Sequence, residues 1–155
     1  MRRIIAAAAF ASLSIGGPAM SQDWSRADRA RLLAPDGVAG ALCYDAVAIA
    51  TPSAYANTES LADLSGDAWV GARSDVYVSV QSVPLGQLPG RRLWVRLIES
   101  SAHQYGAARV FLLRRIDDDH YWAVDWAYRQ QARDQKLLDP ATGWLPPACA
   151  PTNEE

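Results

Sequence analysis

The sequence predicts an α+β domain, with N-terminal helices packed on a C-terminal antiparallel meander of four strands. Three observations predict it. Before position 65, apolar residues fall at helical spacing or in an alanine-rich block. From Ser74 onward the apolar period drops to two. The period-two runs are joined by short polar connections, which makes sequential strands antiparallel neighbours. Helices first and strands after place the helices on one sheet face.

The chain opens with Arg2 and Arg3, an apolar run over 4–15, the breakers Gly16, Gly17 and Pro18, and the small residues Ala19 and Ser21. That is the layout of a secretory signal peptide over 1–21. The run is shorter than the ~20 residues a membrane span needs. The next longest apolar stretch, 38–50, is interrupted by Gly40 and Asp45. An exported protein, periplasmic or secreted and without membrane insertion, is therefore expected. Cleavage after Ser21 leaves 134 of the 155 residues: a single domain over 22–138 and a proline-rich tail over 139–155. Losing Arg2 and Arg3 takes the net charge from −2 to −4. A net negative chain argues against nucleic acid or an anionic membrane surface as partner.

Residues 23–33 read as a helix: Asp23 or Ser25 caps it, Trp24, Ala27, Ala30 and Leu33 share a face, and Pro35-Asp36-Gly37 ends it. Residues 38–50 are alanine-rich and nearly all apolar, which predicts a buried helix stopped by Thr51-Pro52. A shorter helix is expected over 58–64, with Gly66 past its end. In the first predicted strand Val76, Val78 and Val80 alternate with Tyr77, Ser79 and Gln81. In the second, Leu93, Val95 and Leu97 alternate with Trp94, Arg96 and Ile98. Residues 109–116 form a third. Residues 120–128 form a fourth, with Trp122, Val124, Trp126 and Tyr128 on one side and Tyr121, Ala123, Asp125 and Ala127 on the other. A four-stranded open sheet leaves edges at 74–83 and 120–128, so a homodimer covering them is a possible assembly.

In this element order, and in the final hairpin Leu113-Arg114-Arg115-Ile116, acidic turn, Tyr121-Trp122-Ala123-Val124, the chain resembles in outline the cystatin-like and nuclear-transport-factor-2-like folds. Those folds host enzymes, binders and accessory domains alike, so the resemblance implies no activity.

The two cysteines, Cys43 and Cys149, are expected to form one disulfide in an oxidising compartment, tying the tail to the 38–50 segment. His103 and His120 are the only histidines. Asp117, Asp118 and Asp119 precede His120, but consecutive residues point apart and a hairpin turn favours Asp on its own account, so no metal is expected. A glycine-rich phosphate loop, a nucleophile elbow and a Ser-His-Asp pattern are all missing, which leaves no catalytic residue and no cofactor to name.

Two functional readings follow. The first is a non-enzymatic binding or accessory protein that engages an unidentified protein or cell-envelope component through the 100–106 loop, where Ser101, His103 and Tyr105 offer hydroxyl, imidazole and phenol groups. The spacing Ser101…Tyr105 resembles the Ser…Tyr loop of bacterial periplasmic lysozyme inhibitors, without the glycine beside the serine. That resemblance implies insertion into a hydrolase cleft. The second is a small-molecule carrier or small enzyme with a pocket between helices and sheet, in which apolar walls make Asp125 a general base beside Tyr121.

Overall fold

The structure, a computed structural model, describes residues 33, 42–60, 71–99 and 105–150. The leader at 1–21 and most of the expected helix at 23–33 lie outside them. Leu33 is described; it is helical and 1% exposed.

The architecture is a closed barrel, not helices on an open meander. Its strands are β1 (Ala46–Ser60), β2 (Ala72–Gly86), β3 (Arg92–Glu99), β4 (Arg109–Arg115) and β5 (His120–Tyr128), in the spatial order β1-β2-β3-β5-β4. The hairpins β1–β2, β2–β3 and β4–β5 are antiparallel; β5 enters beside β3 in parallel, and β4 closes the ring on β1. The five strands thus close into a Greek-key barrel. A short helix, α1 (Arg129–Asp134), follows β5, and a 3-10 turn spans Pro140–Thr142.

The largest correction concerns 38–50 and 58–64. While 38–41 and 61–64 lie outside the described residues, residues 46–50 and 58–60, expected to belong to two helices, lie in one long strand. Its first five residues pair with β4 on one side and with β2 on the other, and both faces are covered. Ala48 and Ala50 point into the barrel, while Val47 and Ile49 face an outer layer. A strand buried on both faces reads as a continuous apolar run, the same signal a buried helix gives. Alanine's helix propensity is a fraction of a kcal/mol per residue and yields to two full ladders of strand pairing. Pro52 does not stop the element. Beyond Ala50 the strand has left β4, and a residue without an N–H is tolerated at a sheet edge.

The second correction is the meander. β3 and β4 are consecutive but do not pair, because β5 lies between them. Both edges expected to need covering are filled: β2 lies between β1 and β3, and β5 between β3 and β4. The argument for a homodimer from exposed edges therefore falls away.

Two cores result. The barrel interior holds Val76, Val78, Val80, Leu93, Val95, Leu97, Phe111, Leu113 and Trp126, with Tyr55 and Tyr128 packed against it at one mouth and Leu88 at the other. The outer layer covers one flank of the barrel: Leu33, α1 and the tail residues Leu137, Leu138, Trp144 and Leu145 pack over Val47, Val110, Leu112, Trp122 and Val124. The disulfide Cys43–Cys149 secures this layer, joining the segment just ahead of β1 to the tail rather than a helix to the tail. No helix among the described residues is long and apolar enough to cross a membrane.

β5 departs from strict alternation. Its register with β4 shifts between Leu112 and Leu113, which pair with Asp125 and Ala123 and leave Val124 unmatched. This bulge moves the apolar phase by one residue. Trp122 and Val124 belong to the outer layer, whereas Trp126 packs inside the barrel.

Candidate functional site

The outer layer shields only one flank of the barrel. The opposite flank is the outward face of β2 and of β3 as far as Arg96, and no described segment lies over it; the next outward residue of β3, Ile98, is already buried in the outer layer. Alternation fixes its content. Val76, Val78, Leu93, Val95 and Leu97 point in, so Arg73, Asp75, Tyr77 and Ser79 on β2 and Arg92, Trp94 and Arg96 on β3 point out. Tyr77 and Trp94 are directly opposite in register, with ring centroids 5.1 Å apart and planes tilted at 47°. Both are only half-buried. The next register pair, Asp75 and Arg96, forms an ion pair of 3.0 Å, and the Asn57 amide donates to the other oxygen of Asp75 at 2.8 Å. Burial alone would raise the Asp75 pKa, but the hydrogen bonds from Arg96 and Asn57 outweigh it and hold the carboxyl below its ordinary value. The face thus presents two aromatic rings beside a fixed ionised carboxylate, a guanidinium and an amide.

A different polar cluster sits at the mouth of the barrel where β3 ends and β4 begins. Arg109 is fully buried. Its Nη1 donates to Glu99 at 2.9 Å and its Nη2 to the Tyr55 hydroxyl at 3.1 Å, while its guanidinium carbon lies 4.5 Å from the centre of the Trp126 ring. Burial pushes the Tyr55 phenol up to about 12, opposed by the charge of Arg109. Here the barrel neutralises its own buried charges.

Among the residues singled out from sequence, Ser101 and His103 lie outside the described residues. Tyr105 stands at the rim, 59% exposed, with its ring edge-on to Tyr55 at 5.0 Å between centroids. Tyr121 and Asp125 do not meet across a helix–sheet pocket. Tyr121 packs in the barrel interior and lines an open groove of about 770 Å³ at the opposite mouth, with Asp45, Leu88, Arg115 and Cys149. Asp125 is buried across from Leu112, and its Oδ1 accepts the Trp126 N–H at 2.9 Å.

The acidic turn folds as a tight hydrogen-bonded loop. Asp117 accepts the His120 N–H at 2.9 Å, and the His120 Nδ1 lies 2.8 Å from both Asp117 and Asp119. These three residues bring one potential ligand atom each within 4.8 Å of one another, on an exposed turn that the hairpin itself requires. The hydrogen bond to Asp117 raises the His120 pKa above its ordinary 6.5, against a smaller opposing effect of burial. With the folded pKa raised, His120 supports the fold fully below pH 6.5 and loses that support as pH rises through the folded value. The expected result is a His120 ring titration, followed by proton NMR, with its midpoint above 6.5 in the folded protein and back at the ordinary value in Asp117→Asn/Asp119→Asn.

The sequence had marked the aromatic pair without drawing attention to it. Tyr77 and Trp94 each fall on the polar side of their alternation, where a large ring is out of place. What the sequence did not carry was the register that puts them opposite one another.

Comparison with models of protein families, with curated proteins and with solved structures finds no match.

Proposed function

We propose that this chain is an exported, non-enzymatic binding protein of the periplasm or extracellular space, and that its contact surface is the outward face of β2 and β3. One observation carries this reading. The chain uses its own segments to cover the β1–β4–β5 flank of the barrel, yet the Tyr77–Trp94 pair stands on the flank that no described segment covers. Paired aromatics with one side apolar and a polar rim are the usual anchors of a contact surface. The signal-peptide layout of 1–21 and the disulfide support a working place outside the cytoplasm. The buried charges support binding rather than chemistry, since Arg109 and Glu99 are spent on each other. A contribution from the 100–106 loop is a second reading, favoured by the exposed Tyr105 ring at the rim.

The test is retention of the mature protein on an isolated cell-envelope fraction of the organism that makes it. Trp94→Ala and Tyr77→Ala are expected to reduce retention by about tenfold, the loss of roughly one good aromatic contact, with the far-UV spectrum unchanged. Tyr105→Ala separates the loop reading: if it alone abolishes retention, the contact surface lies at the 100–106 loop. Retention indifferent to all three substitutions sinks both.

A further inference from the structure

We infer that the groove between α1 and the barrel wall binds an alkyl carboxylate, a monomeric fatty acid, with its chain on an aliphatic floor and its head group held by Arg129, Arg133 and Lys136. The groove lies on the covered flank, so the inference stands apart from the β2–β3 contact surface.

The floor comes first. Ile49 of β1 and Val110 of β4 are register partners whose side chains face the outer layer. With Ala132 of α1 and Leu138 of the tail they floor a hollow of about 400 Å³, within the size range of small-molecule sites. All four are aliphatic, and none of the residues lining the hollow carries a ring to stack on. The floor offers no backbone groups either. Ile49 lies between Ser82 of β2 and Val110, and Val110 between Ile49 and Ala127 of β5. A peptide laid here would find no sheet edge to pair with, and its buried amides would go unsatisfied. An alkyl chain has no such groups and gains from every methylene it covers.

The rim is cationic. Arg129 and Arg133 are exposed and stand one turn apart on the same face of α1. Both also border an adjoining hollow of about 510 Å³ beside Ala107 and Ala108. Lys136 follows, exposed and on the same rim. Among the described residues none of these three cations forms an ion pair. The neighbouring acids are engaged elsewhere: Asp134 accepts from the Gln130 amide at 2.8 Å, and Asp139 from the Ala141 N–H at 2.9 Å.

The fold by itself accounts for one of the three. Arg133, in the last turn of α1, complements the helix dipole. Lys136 has no such reason. The helix ends with the Leu137 N–H donating to the Ala132 carbonyl at 2.9 Å and the Lys136 N–H to the Arg133 carbonyl at 3.1 Å, and Lys136 itself is left-handed at φ 51°. Glycine is the usual residue at that position, because a side chain there costs conformational energy. The chain places a cation there instead, on the rim of the groove. The two bonds also fix the turn beforehand, which lowers the ordering cost of binding.

Charge decides the class. Three cations beside an aliphatic floor are the complement of an alkyl chain with an anionic head, and guanidinium forks match a carboxylate. An anionic membrane surface is the competing partner. The whole chain carries a net charge of −2, so a broad negative surface would be repelled by the rest of the molecule. A concave site with a local positive rim suits a single head group.

The test is NMR titration of the mature protein with octanoate, 1-octanol and butyrate, followed at the amides of Ile49, Val110 and Ala132. Saturable shifts are expected with octanoate, at least about tenfold tighter than with 1-octanol, since one charge-assisted contact amounts to that much. Butyrate, four methylenes shorter, should bind at least about tenfold more weakly than octanoate. Arg129→Gln/Arg133→Gln should bring octanoate and 1-octanol to equal affinity. Lys136→Gly should weaken octanoate about fivefold while thermal stability holds or rises, because glycine relieves the left-handed backbone. Trp94→Ala should leave octanoate binding unchanged, whatever it does to envelope retention. Equal affinity for octanoate and 1-octanol in the unsubstituted protein overturns the inference, and so does octanoate binding that ignores both the arginine and the Lys136 substitutions. Loss of octanoate binding in Trp94→Ala overturns the placement on this flank. Retention on phosphatidylglycerol vesicles without octanoate binding overturns it in favour of a membrane surface.

Discussion

Replacing Arg109 with Met is expected to cost about 3–5 kcal/mol of stability in urea unfolding, and Glu99→Gln a similar amount, because each leaves a buried partner uncompensated. The Arg109→Met/Glu99→Leu double variant should recover most of that loss. The asymmetry follows from burial. The Arg109 side chain is 0% exposed and that of Glu99 3%, so neither charge has water to fall back on. Desolvating two ions is expensive, and their attraction at 2.9 Å offsets that expense only while both are present. Removing both removes the desolvation cost together with the attraction, and Met and Leu return apolar contacts to Trp126 and Tyr128, which now lie 4.5 and 5.6 Å from the guanidinium carbon. Single substitutions whose costs simply add in the double variant would show that the two charges do not depend on one another. The cluster also has an alkaline signature. Tyr55 is raised from 10 to about 12 by burial, so its support for the fold is intact below pH 10 and declines as pH climbs toward 12. Tyr55→Phe should flatten that decline.

This cluster shows where the sequence stops being legible. In sequence Arg109 opens an apolar run and looks like the polar start of a strand. Only the barrel reveals that its side chain turns inward toward Glu99, ten residues earlier, and Tyr55, fifty-four residues earlier. The strands themselves were legible wherever one face is wet: Val76, Val78 and Val80 against Tyr77 and Ser79, and Leu93, Val95 and Leu97 against Trp94 and Arg96, locate β2 and β3 to within a few residues. Legibility fails where both faces are dry. Residues 46–50 are sheltered inside and out, so their periodicity vanishes and alanine content points to the wrong element. It fails again at the bulge around Val124, since an inserted residue is invisible to a period of two. The parallel pairing of β3 with β5 is the deepest omission. It depends on no local turn, yet it is what turns a meander into a barrel and puts His120 beside Trp94. The face proposed as the contact surface was half visible for the same reason: alternation assigns Tyr77 and Trp94 to the outside, and closure of the ring brings the rest of the face around them.

Cys43→Ser/Cys149→Ser is expected to lower the unfolding free energy by about 2–5 kcal/mol, and to loosen the tail before the barrel. The bond spans 106 residues, so opening it restores a large conformational freedom to the unfolded state; chain-entropy arguments put that at about 4–5 kcal/mol as an upper figure. The loss is not spread evenly. Besides the disulfide, the tail is held at its end by an isolated parallel bridge between Tyr44 and Ala148, with hydrogen bonds of 2.8 Å from the Cys149 N–H to Tyr44 and 3.2 Å from the Tyr44 N–H to Pro147. Upstream it rests on Leu137, Leu138, Trp144 and Leu145, all only partly buried against the outer layer. Each barrel strand, by contrast, has ladder partners on both sides. Contacts that are few and half-exposed open first. In hydrogen exchange the amides of Tyr44 and Cys149 should therefore lose protection in the double variant, while those of Val76, Val95 and Phe111 keep theirs. Trp144 should also move to a more exposed emission. A single cooperative loss of all these signals together would mean that the disulfide holds the barrel closed, and that the covered flank is part of what keeps β1 against β4 rather than a layer laid over a barrel that stands by itself.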